Sequence, residues 1–243
     1  MSSSHQPKPQ FFHFKQFSIE QTHCAMKVGT DGILLGGWAD LENAKSVLDM
    51  GTGTGLIALM TAQRLATVSQ DFSIVAIEKD EMATKQAQKN FLNSPWKENI
   101  QLYCGDITEI LPKIGACFDH ILANPPYFPK AQPCKNQARD LARYTELSHL
   151  DWLTIAANFL TETGKISFVL PFDAAQNLIE NAPFHCIRKC IITTKIGKLP
   201  SRMIVSFSRV TQPCKEESLV IYDNENKYTI DFINKYRDFY LKM

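Results

Sequence analysis

Short apolar runs and longer amphipathic stretches alternate along this chain from residue 46 onward. SVLDM (46–50), SIVAIE (73–78), NIQLYCGD (99–106), FDHILAN (118–124) and KISFVLP (165–171) are short and rich in branched and aromatic residues, which predicts buried strands. LIALMTAQRLA (56–66) is apolar on most faces, and in DEMATKQAQKNFLN (80–93) Ala83, Ala87 and Phe91 recur every four residues, so both predict helices. LSHLDWLTIAANFLTETG (147–164) predicts a further helix stopped by Gly164. Strands alternating with helices make an α/β protein with a parallel sheet and right-handed crossovers. CIRKCIITT (186–194) and RMIVSFSRV (202–210) then predict an antiparallel pair closing the sheet edge, and SLVIYD and TIDFINKYRDFYL add a strand and a helix.

Composition narrows the class. A chain of 243 residues, 44% hydrophobic and 21% charged, is long enough for one domain with a sizeable core. With 26 basic against 25 acidic side chains there is no global field, so a nucleic-acid partner would have to meet a local patch. The 7 cysteines (24, 104, 117, 134, 186, 190, 214) are odd in number and form no CxxC, which argues against a disulfide framework or a zinc site; no metal is expected. The polar opening MSSSHQPKPQ has no signal-peptide core and no run approaches a membrane span, so the expectation is a soluble cytoplasmic protein. Residues 1–10 are expected to be a flexible tail and 11–243 a single domain. Its parts would be an extension over the ligand site (11–45), a core (46–210) and a terminal strand and helix (211–243).

In open α/β sheets ligands bind beyond the carboxyl ends of the strands. The polar residues there are Asp49, Glu78, Asp106 and Asn124. DMGTGTG places Gly51, Gly53 and Gly55 at alternate positions between a strand and a helix, with Thr52 among them, where the backbone can turn sharply and approach a ligand. Position 56 is Leu, so the spacing is not the dinucleotide GxGxxG and points to a nucleoside without a pyrophosphate. Glu78 can accept from ribose hydroxyls and Asp106 from a purine amine, though Asp49 and Asp106 are equally readable as helix caps or loop acids.

At ILANPPYFPK the fourth strand stops at two prolines, which remove two backbone donors. Asn124, Pro125, Pro126 and Tyr127 form a rigid turn carrying an amide, fixed carbonyls and an aromatic ring. Lys130, Lys135, Arg139 and Arg143 follow with only Asp140 among them, readable as a solvated helix face or as a phosphate-contacting patch joined by Lys15, Lys198 and Arg202.

DMGTGTG, IEKD and GDI resemble the successive binding motifs of class I S-adenosylmethionine-dependent methyltransferases. That resemblance implies a Rossmann-like sandwich, with a mostly parallel seven-stranded sheet and an antiparallel edge strand, and S-adenosylmethionine as cofactor. The cofactor residues would be Asp49, Gly51, Thr52, Gly53, Gly55, Glu78, Lys79, Asp106, Ile107 and Asn124. NPPY in this setting implies amine methylation: acceptors on Asn124 and Pro125 hold the amine, and Tyr127, with Phe128, stacks a planar substrate. Glutamine methyltransferases share the motif but carry a helical N-terminal domain for which about forty-five residues leave no room. FHFKQFSIEQTHCAMKVGTDGILLGGWA, NSPW, NPPYF, RDLARYTELSHLDWL, KLPSRMIVSFSR and YTIDFINKYRDFYLK closely resemble bacterial tRNA1(Val) (adenine-37-N6)-methyltransferases, over nearly the whole chain beyond residue 10. The implied partner is the anticodon loop of a valine tRNA; the protein itself is expected to be a monomer. The implied substrate residues are Tyr127, Phe128, Lys130, Lys135, Arg139 and Arg143, and Lys27, Thr30 and Asp31 are further cofactor candidates. A glutamine or rRNA amine remains the alternative substrate, because the motif itself specifies only an amine.

Overall fold

A computed structural model describes residues 9–22, 27–126 and 147–243. The strands expected from alternation are present: β3 (Ser46–Met50), β4 (Ser73–Glu78), β5 (Ile100–Cys104), β6 (Phe118–Ala123) and β7 (Leu160–Pro171). With β8 (His185–Lys195), β9 (Arg202–Ser208) and β10 (Lys215–Tyr222) they form one sheet of 8 strands, ordered β10-β8-β9-β7-β6-β3-β4-β5. Only β9 is reversed, pairing antiparallel with both β7 and β8, while β10 adds one strand beyond the seven expected by lying parallel to β8.

Strand side chains alternate between two apolar layers. Val47, Ile74, Ala76, Leu122 and Ile204 face one side, covered by α1 (Thr30–Trp38), α2 (Leu56–Ala66), α3 (Glu81–Leu92) and, late in the chain, α7 (Ile230–Tyr236). Leu48, Met50, Ile77, Ile121 and Val205 face the other side, covered by α4 (Ile107–Ile114), α5 (His149–Ala157) and α6 (Phe172–Asn181). The result is a three-layer sandwich whose carboxyl-end loops converge between β3, β4, β5 and β6.

The structure corrects three expectations. The helix expected to run to Gly164 ends at Ala157, because Asn158 and Phe159 N–H groups close the last turn on Ile155 and Ala156 carbonyls. Gly164 lies inside β7, where the register against β6 shifts and a Cβ would come 2.6 Å from Leu160 and 3.0 Å from the Phe118 carbonyl. Residues 11–45 do not all cover the ligand site. β1 (Phe11–His13) and β2 (Ser18–Glu20) form a separate antiparallel pair; Phe14, between them, bridges to Tyr240, and β2 rests on α3. Among the described residues of 11–45, Lys27, Val28 and Gly29 leading into α1 and Asp31 and Gly32 of its first turn line the carboxyl-end cavity. The tail ring of Tyr236 is buried, its hydroxyl donating to the Leu34 carbonyl at 3.1 Å.

Candidate active site

The glycine loop is shaped by its own residues. Gly51, Gly53 and Gly55 have φ of +71°, +57° and +88°, the left-handed region that a side chain disfavours. Gly55 is required twice over, since a Cβ there would also lie 2.4 Å from the Phe91 ring. The Gly51 and Thr52 N–H groups donate to the Ile77 carbonyl at 2.9 and 3.0 Å, and Gly53 N–H donates to Glu78 Oε2 at 2.8 Å. Glu78 Oε1 accepts from Asp80 N–H at 2.9 Å, so this carboxylate is held at the end of β4 with its remaining lone pairs on the cavity side. Asn90 of α3, buried, locks the loop from behind: its amide donates to the Thr54 and Glu20 carbonyls at 2.8 and 3.0 Å.

A cavity of about 450 Å³ opens at this end of the sheet. Lys27, Asp31, Gly51, Thr52, Gly53, Glu78, Lys79, Asp106, Ile107 and Asn124 all line it, together with Pro126. Asp106 caps α4, accepting from Thr108 N–H at 3.0 Å and its hydroxyl at 2.7 Å, and pairs with Lys79 at 3.0 Å. Burial works against its charge, but the Thr108 hydrogen bonds and the Lys79 ammonium hold it below the usual carboxylate range. Asp106 is therefore a helix cap whose carboxylate also lines the cavity.

Three of the expected cofactor residues lie outside this lining. Thr30 is the first residue of α1, behind the cap residue Gly29. Gly55 sits under the loop as the cap of α2. Asp49 is buried beneath the loop, where Oδ2 accepts from the Thr52 hydroxyl at 2.6 Å and Ala58 N–H at 3.0 Å. Burial, reinforced by Glu78, pushes its carboxyl up to about 7 despite those two bonds. Its Oδ1 has no partner among the described residues. Pro125 is also off the lining. Tyr127, Phe128, Lys130, Lys135, Arg139 and Arg143 fall outside the described residues.

The basic patch is partly redrawn. Lys15 lies at the opposite, amino end of the sheet, its ammonium on the Arg237 carbonyl at 2.6 Å. Arg202 is committed to the cavity wall, 3.2 Å from the Asp31 carboxylate. Leu147 and Trp152 were not foreseen. Both line the cavity, and a Cβ on Gly51 would come within 3.1 Å of the Trp152 ring, so α5 forms its far wall. One turn earlier, His149 Nε2–H donates to the Pro126 carbonyl at 3.3 Å, so α5 touches the proline turn as well. Burial depresses the His149 pKa, which favours the neutral ring, although the Pro126 bond opposes that.

Comparisons with known proteins agree with this geometry. The fold is shared with a predicted O-methyltransferase of Agrobacterium tumefaciens (TM-score 0.66, 17% identity, 86% of this chain and 96% of that one). It is also shared with a type I restriction-modification methyltransferase subunit of Streptococcus thermophilus (TM-score 0.61, 18% identity, 88% of this chain and 53% of that one). The family model of the methyltransferase small domain matches residues 30–187, which carry the glycine loop, Glu78, Asp106 and Asn124. The tRNA1(Val) (adenine(37)-N6)-methyltransferase of Haemophilus influenzae (strain PittEE) is 53% identical over 231 residues, 95% of this chain and 98% of that protein. The protein of the same name from Pasteurella multocida (strain Pm70) is 49% identical over 231 residues, 95% of this chain and 96% of its own length. This chain belongs to the tRNA1(Val) (adenine(37)-N6)-methyltransferase family, within the methyltransferase small-domain group.

Proposed function

We propose that this protein uses S-adenosylmethionine to methylate N6 of adenine 37, beside the anticodon of tRNA1(Val). The observation that carries the reading is one of placement. Asn124 and Pro126 of the proline turn line the same cavity as the glycine loop, Glu78 and Asp106, in a chain 53% identical to an enzyme named for that reaction.

The cavity suits the cofactor. A Cβ on Gly53 would meet nothing within 4 Å, so the backbone lies open to a ligand. Glu78 and Asp106 supply acceptors for ribose hydroxyls and an adenine amine, while Ile77, Ile107 and Leu56 supply apolar surface for a purine. Lys27 and Asp31, also on the lining, have charges suited to a carboxylate and an ammonium, Asp31 sharing its carboxylate with Arg202. Asp49 acts from below, fixing the loop through Thr52 and Ala58. When bound, the cofactor supplies a methyl group activated on a sulfonium.

The chain's own work is to hold the amine. The lone pair of an exocyclic amine is delocalised into the base, so two acceptors aimed at its hydrogens favour the pyramidal geometry that can attack. The Asn124 side-chain oxygen and the Pro125 carbonyl take these roles, made rigid by the prolines. The nitrogen becomes acidic as its new bond forms, so the proton leaves late and no strong base is needed. Tyr127 and Phe128 stack the base, worth roughly 1–3 kcal/mol. A loop base is already unpaired, so extruding it costs about the few kcal/mol of unstacking. Lys130, Lys135, Arg139 and Arg143 belong to the phosphate contacts of this reading. One methyltransferase domain over residues 11–243, acting as a cytoplasmic monomer, is sufficient.

The test is methyl incorporation into a transcript of tRNA1(Val) and into the same transcript with guanine at position 37. Incorporation into the first alone supports the reading. Equal incorporation into both would place the target elsewhere.

A further inference from the structure

We infer that the β8–β9 hairpin tip, residues 195–202, is a second RNA-docking element standing beside the cavity; this rests on the tRNA reading above. β8 runs in the same direction as β6 and β7, being separated from β7 by the reversed β9, so its carboxyl end emerges at the same end of the sheet as Asn124. The base of the hairpin is tied to the cavity wall through the Arg202–Asp31 ion pair at 3.2 Å.

The tip is rigid yet presents its side chains to solvent. Lys198 N–H closes the turn on the Lys195 carbonyl at 3.0 Å, around Gly197 at φ +79°. Ile196 N–H donates to the Tyr222 carbonyl at 3.0 Å, and Lys195 Nζ donates to Asn226 Oδ1 at 2.7 Å, which braces the turn against the end of β10. On this braced turn Leu199 is 86% exposed and Ile196 48% exposed.

Neither residue contributes to the core, and an isolated exposed leucine would need no explanation. Here the two are interleaved with Lys195 and Lys198, and KIGKLPSR contains no acid. The acids of the adjacent turn are already engaged: Glu225 pairs with Lys227 at 2.7 Å, and Asp223 accepts the Glu225 and Lys227 N–H groups at 2.8 and 2.9 Å. The surface is locally positive with an apolar crest, on a protein whose net charge is only +1. That chemistry fits a folded RNA: the lysines meet backbone phosphates, and Ile196 and Leu199 pack on the sugars and base faces that an unpaired loop leaves open. A protein-binding patch would be depleted of lysine, whereas this crest carries two.

The test measures binding of a fluorescent valine anticodon stem–loop by anisotropy across a salt series. Wild type is compared with Lys195→Glu/Lys198→Glu and with Ile196→Ser/Leu199→Ser, with S-adenosylmethionine affinity measured for each. The charge variant should bind RNA about tenfold more weakly or worse, with a salt slope shallower by about one for each phosphate no longer neutralised. The apolar variant should weaken binding several-fold with the slope kept. Cofactor affinity should not move in either. If wild type binds and methylates this RNA while both variants bind it equally well, the hairpin assignment is wrong and the proposed function stands. If wild type neither binds nor methylates it, the substrate reading falls and the hairpin falls with it.

Discussion

The sheet opens into a cavity at each end, and the larger one carries less chemistry. The amino-end cavity, about 950 Å³ against about 450 Å³, is lined by Lys15, Asp40, Lys45, Arg64 and Asp71 among others. Many of its charges are already engaged within the protein. Lys45 pairs with Asp71 at 2.9 Å, Asp40 with Lys165 at 2.5 Å, and Arg64 donates to the Gly36 carbonyl at 2.9 Å. The carboxyl-end cavity instead gathers a glycine loop, two acids from successive strand ends and the proline turn around one opening. Volume reflects where helices splay; function follows where strand ends deliver polar groups from different segments to one point.

The largest effect should come from the proline turn. Asn124→Ala is expected to lower turnover by about 100-fold or more, the scale of losing one preorganised group aimed at the reacting atoms, while S-adenosylmethionine affinity holds. Single-turnover kinetics beside calorimetric binding separates the two; near-normal turnover would remove Asn124 from the role proposed for it. Glu78→Ala should next weaken cofactor binding about 10- to 100-fold, as expected for charge-assisted hydrogen bonds. Part of that loss would come through the freed Gly53 N–H.

The two ends should also answer pH in opposite senses. His120, buried at the amino-end side, donates from Nδ1–H to the Asp40 carbonyl at 2.8 Å, which leaves Nε2 to accept from the Ser167 hydroxyl at 2.8 Å. Burial drives its pKa down to about 4. His120 therefore imposes a penalty that is absent above the ordinary histidine value of about 6.5 and grows as pH falls towards 4. Asp49, at the carboxyl end, is raised to about 7, so it imposes a penalty that grows as pH rises from about 4 to 7 and is complete above. Asp49→Asn keeps an acceptor for Thr52 and Ala58. Its Tm advantage over wild type should therefore widen between pH 5 and 8, whereas His120→Gln should flatten the fall in Tm from pH 7 to 5. Thermal unfolding across that range checks both, and parallel curves for the variants and wild type would contradict both environments.

The smallest effect is expected at Lys45. Its pair with Asp71 is exposed on both sides, so Lys45→Ala should leave turnover, cofactor affinity and Tm unchanged. A loss of cofactor affinity comparable to that of Glu78→Ala would break the contrast between the two ends.

Much of the carboxyl-end site was legible in the sequence because each part announces itself locally. Alternation fixed β3, β4 and β6, and the polar residue ending each run fell at the cavity or just beneath it. α4 was missed because it is eight residues long and holds Pro112, so a breaker masked a helix that Asp106 caps. Gly164 reads as a helix stop in one dimension, whereas the close approach of Leu160 and the Phe118 carbonyl gives it a different role. Asn90 and Trp152 left no signal, since each is one polar or aromatic residue on a helix and acts only through packing against a loop distant in sequence. The assignment of Asp49 to the lining failed for a related reason: strand alternation turns it into the α2 layer, beneath the cavity.

The most direct test of the proposed activity is radiolabelled methyl transfer from S-adenosylmethionine to total tRNA from a strain lacking this enzyme, followed by nucleoside analysis and mapping of the label. The expected product is N6-methyladenosine at position 37 of a valine tRNA and nowhere else. Label in another nucleoside or at another position, or no label at all, would contradict it.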